Sequence, residues 1–230
     1  HAAIFCSPHN PCGRVWERRE IVKAMGLYKK YDVTVISDEI WSDLITTGHK
    51  HIPTQSVSED AKMRTIALYA PSKTFNLAGL VGSYHIIYNS YLKDRVNKES
   101  SLSHYNSMNV LSMYALIGAY RPEGQEWLEE LRRVITGNID FACGYIRDHF
   151  EGVEVFRPEG TYMLFVDCSK WCRLHGKTID QVEKAAWEVG VACQDGRMFH
   201  GPCHLRMNLA LPLSRVKEAF ERLDHYVFCS

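Results

Sequence analysis

The stretch "APSKTFNLAGL", residues 70–80, places a single lysine, Lys73, among small and apolar side chains. It follows directly on "TIALY", an apolar run that predicts a buried strand. Ligands of open α/β sheets bind at the carboxyl ends of the strands. A lysine that is shielded from water there can act as an amine nucleophile toward a carbonyl compound. The stretch therefore predicts a reactive lysine or, in the simpler interpretation, a solvated surface residue.

The first part of the chain alternates between apolar runs and amphipathic segments. Strands are predicted at "AAIFCSP", "VTVISDEI" and "GSYHIIYN", and a helix is predicted at "ERREIVKAMGLYKKY". The apolar residues of that helix recur at helical spacing: Ile21, Val22, Met25 and Tyr28. Nearly continuous apolar strands are typical of a parallel sheet that is covered on both faces. This part is therefore predicted to be an α/β sheet.

The second part has a different pattern. It is helical from about residue 101 to residue 150 and is interrupted at "YRPEGQEW" by Pro122 and Gly124. Beyond it, "VEVFRPEGTYMLFVDC" predicts two strands about a turn, and "HLRMNLALP" predicts a third strand. "TIDQVEKAAWEVG" predicts a helix with Thr178 at its N-cap, and "SRVKEAFERLDHYVF" predicts a closing helix. The predicted fold is α/β: a domain with a mostly parallel sheet over residues 1–128, followed by a small α+β domain over residues 129–230.

The composition favours a protein that binds a small molecule. Lys plus Arg and Asp plus Glu both number 27 in the 230 residues, so no net charge points to nucleic acid. No apolar run approaches the roughly 20 residues of a membrane helix. Cysteines without a C-x-x-C pair predict free thiols in a reducing cytoplasm. The eight cysteines are Cys6, Cys12, Cys143, Cys168, Cys172, Cys193, Cys203 and Cys229.

Polar side chains follow three of the predicted strands. Asn10 follows the first, Asp38 and Glu39 follow the second, and Ser72 and Lys73 follow the third. A carboxylate at this edge would suit a cationic partner such as a protonated pyridine nitrogen. Each residue also has an ordinary interpretation, because an aspartate after a strand is commonly a helix cap. Together they predict a ligand site at the carboxyl edge of the sheet.

A zinc site is an alternative use of the histidines and cysteines. His200 and His204 lie four residues apart with Cys203 between them, and Cys168 and Cys172 have the same spacing. The Gly-Pro pair at residues 201–202 opposes a helix that would present both histidines on one face. We expect the cysteine pair to serve helix packing and the sequence to hold no metal.

Six motifs resemble a known family when they are taken together. "SPHNPCGRVW", "SDEIWSDL", "GHKHIPTQS", "APSKTFNLAGL", "EGTYMLFVD" and "DGRMFHGPCHLRMNLALP" follow one another at about the spacing of fold-type I pyridoxal-phosphate enzymes. Over essentially all its length the chain resembles the class I/II aminotransferase superfamily. "NPxGRVW" with "GHxHIP" favours its carbon–sulfur lyase branch, of the cystathionine β-lyase, MalY and PatB type. The resemblance implies the fold-type I architecture and pyridoxal 5'-phosphate as cofactor.

The resemblance implies a role for each matching residue. Lys73 matches the lysine that binds the cofactor as a Schiff base and then removes the substrate Cα proton. Asp38 matches the acid that pairs with the pyridinium nitrogen, and Asn10 matches the residue that hydrogen-bonds the phenolic oxygen. Ser72 is a candidate phosphate ligand. Arg206 matches the arginine that binds the substrate α-carboxylate through two hydrogen bonds.

Three activities remain open at this point. With a thiolate leaving group on Cβ, the implied reaction is β-elimination from cystathionine or cysteine to a thiol, pyruvate and ammonia. Without a leaving group, it is transfer of the amino group to a keto acid. A catalytically inert fragment is the third alternative. The resemblance also implies an amino-acid substrate and a homodimer with active sites at the subunit interface.

The chain departs from the family pattern in two positions and in extent. Trp41 stands where aminotransferases usually carry a tyrosine and these lyases often a histidine, so its expected contact with the phenolic oxygen would use an indole donor. Val81 stands where many aminotransferases have a phosphate-binding arginine. Family members carry a further stretch before the Asn-Pro-x-Gly strand, with a phosphate-binding loop and a ring-stacking aromatic. We therefore expect this chain to be the C-terminal portion of such an enzyme, with apolar faces left uncovered.

Overall fold

The structure is a computed structural model that describes residues 1–103 and 107–228. Cys229, one of the predicted free thiols, lies outside the described residues. The contacts divide the chain into two units. The first unit contains residues 1–9 and 14–130, and the second contains residues 10–13 and 131–230. Each unit has its own four-stranded sheet.

The sheet of the first unit has the order β1-β2-β3-β4. Its strands are β1 (Ala2–Cys6), β2 (Thr34–Asp38), β3 (Thr65–Tyr69) and β4 (Tyr84–Ile86). β1 pairs with β2 and β2 pairs with β3 in parallel, as predicted from the apolar runs. β4 is antiparallel to β3. The segment between them contains only a four-residue helix and a 3-10 turn, so no long crossover helix returns the chain for a parallel pairing.

Helices follow the strands of this unit. They are α1 (Arg18–Lys30), α2 (Glu59–Arg64), α3 (Pro71–Thr74), α4 (Ser90–Ser100) and α5 (Val110–Ala119), and α6 (Pro122–His149) continues into the second unit. The helical pattern thus begins at Ser90, earlier than predicted. The predicted interruption at "YRPEGQEW" is confirmed, because α5 ends at Ala119 and α6 begins at Pro122. Pro122 suits the first turn of α6, where its missing N–H costs nothing, whereas Gly124 lies inside that helix and does not break it.

The core of the first unit lies between α1, α2 and the sheet. Ile21 and Met25 are four residues apart on α1 and are buried together with Val35, Val57 and Ala61. In contrast, α5 exposes most of its apolar side chains. The exposed ones are Val110, Leu111, Met113, Tyr114 and Ile117.

The sheet of the second unit is antiparallel throughout and has the order β5-β6-β8-β7. Its strands are β5 (Glu154–Val155), β6 (Met163–Asp167), β7 (Gln194–Asp195) and β8 (His204–Asn208). The predicted strands in "VEVFRPEGTYMLFVDC" and "HLRMNLALP" are confirmed, and β7 was not predicted. The helices are α7 (Ser169–His175), α8 (Ile179–Glu188) and α9 (Leu213–Tyr226).

Two features bear on the other predictions from the sequence. The domain boundary between residues 128 and 129 stays a prediction, because α6 runs through this position without a break. Within residues 1–103 and 107–228, no helix combines the length and apolar character needed to cross a membrane.

Candidate active site

Lys73 lies on α3, four residues after β3 ends. Its Nζ atom is 5.8 Å from the centre of the Trp41 ring, a cation–π arrangement. Trp41 is almost completely buried, with 3% of its surface exposed. Lys73 itself is half-buried, and among the described residues no carboxylate pairs with its ammonium. The lysine is therefore held against an apolar surface but is still accessible.

Asp38 is the last residue of β2 and lies between the ends of two neighbouring strands. It is opposite Cys6 of β1 and Leu68 of β3. The Asp38 carbonyl accepts a hydrogen bond from the Ser7 N–H at 3.1 Å. Its side-chain Oδ1 accepts one from the Ile40 N–H at 3.1 Å, which fixes the carboxylate at the start of the following turn. The structure therefore places Asp38 and the strand that leads to Lys73 side by side at the carboxyl edge of one sheet.

Glu39, the next residue, is completely buried and holds this edge together. Its Oε2 accepts hydrogen bonds from Tyr69 Oη at 2.7 Å and from His51 Nε2 at 2.8 Å. Its Oε1 accepts from Ser37 Oγ at 2.8 Å and from the Thr54 N–H at 2.9 Å. The carboxylate thus joins the ends of β2 and β3 to the loop that contains "HIPT".

These donors decide the charge of Glu39. Burial alone would raise the pKa of its carboxyl group, but the hydrogen bonds from His51 and Tyr69, the charge of His51 and the Thr54 N–H together hold the pKa below the ordinary value. Burial, followed by the neighbouring carboxylate, raises the pKa of Tyr69, so its hydroxyl stays a donor. Glu39 is therefore an anion with its partners in place.

Asn10 belongs to the second unit, within the four-residue segment 10–13. Its Oδ1 is buried and has no hydrogen-bond partner among the described residues. Gly13 ends this segment with φ +71°, and its carbonyl accepts hydrogen bonds from the N–H groups of Glu159 and Gly160, both at 2.9 Å. A Cβ atom at Gly13 would lie 2.7 Å from the Gly160 carbonyl oxygen. The glycine of the Asn-Pro-x-Gly motif is thus needed for the close approach that fixes this turn.

Arg206 lies in β8, in the second unit. Its guanidinium is 4.9 Å from the centre of the Phe199 ring, and its Nε is 3.4 Å from the Met163 Sδ atom. Burial lowers the pKa of Arg206 from its ordinary value, and the guanidinium remains a cation. Among the described residues it pairs with no carboxylate. The guanidinium therefore contacts an aromatic ring and a sulfur atom, and no carboxylate of the described residues pairs with it.

The predicted site residues are divided between the two units. Asp38, Trp41, Ser72 and Lys73 are in the first unit, where Ser72 is half-buried on α3 beside Lys73. Asn10 and Arg206 are in the second unit.

Individual side chains in each unit suit functional groups of pyridoxal phosphate. An amine without a carboxylate partner suits the cofactor aldehyde, and a carboxylate suits its ring nitrogen. The Asn10 Oδ1 atom, buried and without a hydrogen-bond partner among the described residues, is an acceptor that a cofactor hydroxyl could satisfy.

Sequence reasoning missed two parts of this site. Glu39 was noted only as a polar residue at a strand end, and "GHKHIP" only as a mark of the lyase branch. The signal was present, because a carboxylate directly after a buried strand requires donors and His51 and Thr54 follow within 15 residues. The second part is a hydrogen bond between Thr74 and Asp43, 31 residues apart, which no sequence pattern indicated.

The histidines of the zinc alternative have different backbone settings. His200 has a left-handed backbone conformation after a 3-10 turn, whereas His204 begins β8. No group of three metal-ligating side chains exists in the part of the chain that the structure describes. Cys168 is the N-cap of α7 and Cys172 is buried in it. Burial raises the pKa of Cys172 to about 12, so its thiol stays protonated at neutral pH.

Comparisons with known proteins agree with the motifs. The family described as aminotransferase class I and II matches residues 2–223. The chain is 30% identical over 223 residues to cystathionine beta-lyase PatB from Bacillus subtilis (strain 168), covering 96% of this chain and 56% of that protein. It is 29% identical over 230 residues to an aspartate aminotransferase from Bacillus sp. (strain YM-2), covering 98% of this chain and 57% of that protein.

A solved structure is similar to nearly the whole chain. Cystalysin from Treponema denticola, whose crystal structure contains a pyridoxal 5'-phosphate cofactor, has a TM-score of 0.90 and 33% sequence identity. The match covers 97% of this chain and 56% of cystalysin. The chain thus spans a little over half the length of these relatives. Its fold is that of the fold-type I pyridoxal-phosphate proteins, and the chain belongs to the class I and II aminotransferase family.

Proposed function

We propose that the chain belongs to a pyridoxal-phosphate-dependent carbon–sulfur β-lyase. The observation that carries this proposal is Lys73, a lysine at the end of a buried strand whose ammonium lies against Trp41 and pairs with no carboxylate of the described residues. The 30% identity to cystathionine beta-lyase PatB supports the lyase branch. The proposed substrates are cystathionine or cysteine, and the products are a thiol, pyruvate and ammonia.

The chain's own residues have distinct tasks in this reaction. The bound cofactor supplies an electron sink for the pair of electrons that remains when the substrate loses its Cα proton. Lys73 would hold the cofactor covalently through Nζ and later move the Cα proton. Asp38 would keep the ring nitrogen protonated, and Asn10 would hydrogen-bond the phenolic oxygen.

The remaining proposed contacts concern the phosphate, the substrate and water. Ser72 would bind the phosphate group, and Arg206 would orient the substrate α-carboxylate through two parallel hydrogen bonds. Trp41 would exclude water from one side of the Lys73 amine, because its buried ring lies next to that amine. We also propose that its indole N–H donates a hydrogen bond to the cofactor, although relatives carry a tyrosine or histidine at this position.

An aminotransferase is the second candidate. The 29% identity to an aspartate aminotransferase favours it, and the roles of Lys73 and Asp38 are the same in both reactions. The two activities differ in what becomes of the substrate. A lyase releases pyruvate from cystathionine without a keto acid, whereas an aminotransferase turns over only when a keto-acid acceptor is present.

We also propose that the active protein is a homodimer in the reducing cytoplasm. The exposed apolar side chains of α5 support association, because contiguous apolar surface on a monomer is uncommon. The free thiols among the described cysteines support a reducing compartment. Light scattering at several protein concentrations tests the dimer, and a mass that stays at 26.4 kDa would contradict it.

The first test of the proposed function is covalent capture of the cofactor. We expect the chain to develop a shifted absorbance band with pyridoxal phosphate, and borohydride to fix one cofactor on Lys73, identified by peptide mass. Lys73→Ala should lose both signals. Lys62→Ala is the matched control, since Lys62 also lies over an aromatic ring, with its Nζ 4.9 Å from the centre of Tyr88. Labelling at Lys62 or elsewhere instead of Lys73 would overturn the assignment.

The second test uses the chain with bound pyridoxal phosphate that has not been reduced, and measures pyruvate release and its dependence on a keto acid. Release of pyruvate from cystathionine without a keto acid supports the lyase, and strict dependence on a keto acid supports the aminotransferase. If the chain forms the shifted absorbance band with pyridoxal phosphate but gives neither pyruvate nor acceptor-dependent turnover, both activities are contradicted for this chain.

A further inference from the structure

α3, the helix that carries Lys73, is too short to hold its own shape. It has four residues, and an isolated helical turn is unstable in water because nucleation costs more than one hydrogen bond returns. Its backbone bonds are few, such as Phe75 N–H to the Pro71 carbonyl at 2.9 Å and Leu77 N–H to the Ser72 carbonyl at 3.1 Å. The direction of the Lys73 side chain must therefore be fixed from outside the helix.

One side-chain bond provides this connection. Thr74, the residue after Lys73, is completely buried, and its Oγ1 donates a hydrogen bond of 2.9 Å to Asp43 Oδ2. The bond is charge-assisted, and such bonds are about twice as strong as neutral ones. Tyr120 Oη lies 3.5 Å from the same oxygen, and its ring packs edge-on against Phe75 at 5.3 Å. The end of α3 is therefore anchored at Asp43.

Asp43 is itself held by a tight turn that contains Trp41. Ser42 N–H donates to the Glu39 carbonyl at 2.9 Å, and Leu44 N–H donates to the Trp41 carbonyl at 3.0 Å. This turn follows Asp38 directly. One short segment thus provides the strand-end carboxylate, the ring beneath the lysine amine and the anchor for the residue after the lysine.

We propose that Asp43 and Thr74 are a positioning pair that fixes the Lys73 amine over Trp41 for its reaction with the cofactor. The inference rests on the proposed role of Lys73. Neither residue of the pair needs to touch the cofactor. Their bond restricts α3 at the position next to Lys73, so the amine approaches the reacting carbonyl from one direction, and orientation of this kind contributes substantially to rate.

The test compares the rate at which borohydride fixes pyridoxal phosphate on Lys73. Thr74→Val removes the hydroxyl and keeps the shape, and we expect labelling of Lys73 to slow about tenfold, the factor that corresponds to a charge-assisted hydrogen bond of about 1.4 kcal/mol. Thr74→Ser keeps the donor and should restore the rate to within about twofold of the unmutated chain. This rescue separates a positioning role from a general loss of packing.

Thr65→Val is the matched control. Thr65 is also completely buried in the first unit, but its Oγ1 has no partner among the described residues, so its loss should leave the labelling rate unchanged. Far-UV circular dichroism and a melting curve establish that each variant is folded.

Asp43→Asn provides a second, independent variant. It keeps an acceptor and removes the charge, and we expect about threefold slower labelling. With Thr74→Val it should slow the reaction no more than Thr74→Val alone, because Thr74→Val already removes the bond that Asp43→Asn weakens. If Thr74→Val does not fold, Asp43→Asn carries the test.

The outcomes separate the two proposals. If Lys73 of the unmutated chain is labelled and both variants, Thr74→Val and Asp43→Asn, are labelled as fast as the unmutated chain, the positioning pair is overturned and the proposed function stands. The pair would also be overturned if the double variant were slowed by the product of the two single-variant factors, because the two changes would then act independently. If the unmutated chain is not labelled at Lys73, the proposed function fails and the inference fails with it.

Discussion

Glu39 is an anion without exposed surface that accepts four hydrogen bonds from four different residues. Removing one partner of a buried charge is costly, because the remaining donors lose an acceptor that water cannot replace. Since these donors come from β2, β3 and the loop between them, the carboxylate stabilises the sheet edge that carries Asp38.

This arrangement predicts the effect of Glu39→Gln on stability. An amide in place of the carboxylate presents an NH2 group to donors, so we expect the free energy of unfolding to fall by about 2 to 4 kcal/mol near neutral pH. Urea titration measures the change. Glu59→Gln is the matched control, because the Glu59 side chain is 77% exposed and its ion pair with Lys62 should contribute less than about 1 kcal/mol.

The effect of Glu39→Gln should also depend on pH. The folded chain holds the pKa of Glu39 below the ordinary value of 4.5, so the ionised carboxylate stabilises the fold above that pH. The contribution is lost as the pH falls below 4.5 and through the lower pKa of the folded state. The stability difference between the variant and the unmutated chain should therefore narrow in acid, and a difference that is constant with pH would contradict an ionised Glu39.

The positions of Lys73 and Asp38 could be predicted because each depends on where a single strand ends, and an apolar run followed by a breaker shows that directly. The hydrogen-bond partners of Glu39 and Thr74 could not be predicted from the sequence. His51 is 12 residues from Glu39, and Asp43 is 31 residues from Thr74. Their meeting depends on how loops fold back on the sheet, which no periodic pattern specifies.

At the scale of single elements, α8 shows a prediction from sequence that the structure confirms in detail. Thr178 is its N-cap and forms a capping box with Gln181: Thr178 Oγ1 accepts from the Gln181 N–H at 3.4 Å, and Gln181 Oε1 accepts from the Thr178 N–H at 2.9 Å. Such a cap is predictable because it involves residues within one turn.

Thr178→Ala should therefore lower the free energy of unfolding by about 1 kcal/mol, since it removes one half of the box. Thr178→Ser keeps the acceptor oxygen and should remain within about 0.5 kcal/mol of the unmutated chain. Denaturant unfolding of both variants measures the difference. Equal stability of the alanine and serine variants would show that the cap contributes little.

The elements that were predicted less well depend on distant contacts. The run "GSYHIIYN" correctly indicated a strand, but the direction of β4 depends on the path of the chain between β3 and β4, and only three residues pair. The interruption predicted at "YRPEGQEW" is present between α5 and α6, but Gly124 lies inside α6 and does not contribute to it. β7 has two residues and too little sequence to form a pattern.

In the whole chain, the two units that the contacts define are not continuous in sequence. The second unit consists of residues 131–230 together with residues 10–13, which lie more than 100 residues earlier. Gly13 makes this grouping concrete, because its carbonyl accepts from both Glu159 and Gly160.

Hydrogen exchange can test whether the Gly13 carbonyl protects the amide protons of Glu159 and Gly160. In the complete chain the amide protons of Glu159 and Gly160 should be protected, since both donate to Gly13. In a fragment that contains residues 131–230 alone, both should exchange rapidly because their acceptor is missing. The Leu209 amide, which donates to the Tyr162 carbonyl at 2.9 Å within the fragment, should stay protected and serves as control. Equal protection of Glu159 and Gly160 in the two proteins would contradict a role for Gly13.

The Gly13 turn also limits how this gene can be divided. A two-gene version cut at residue 130 would leave the four codons for residues 10–13 in the first gene, although the product of the second gene uses them. Split-protein complementation and domain exchange between relatives should therefore transfer the Asn-Pro-x-Gly turn together with the C-terminal part. A hybrid with a mismatched turn would alter Asn10, a proposed cofactor ligand, at the same time as the fold around Glu159 and Gly160.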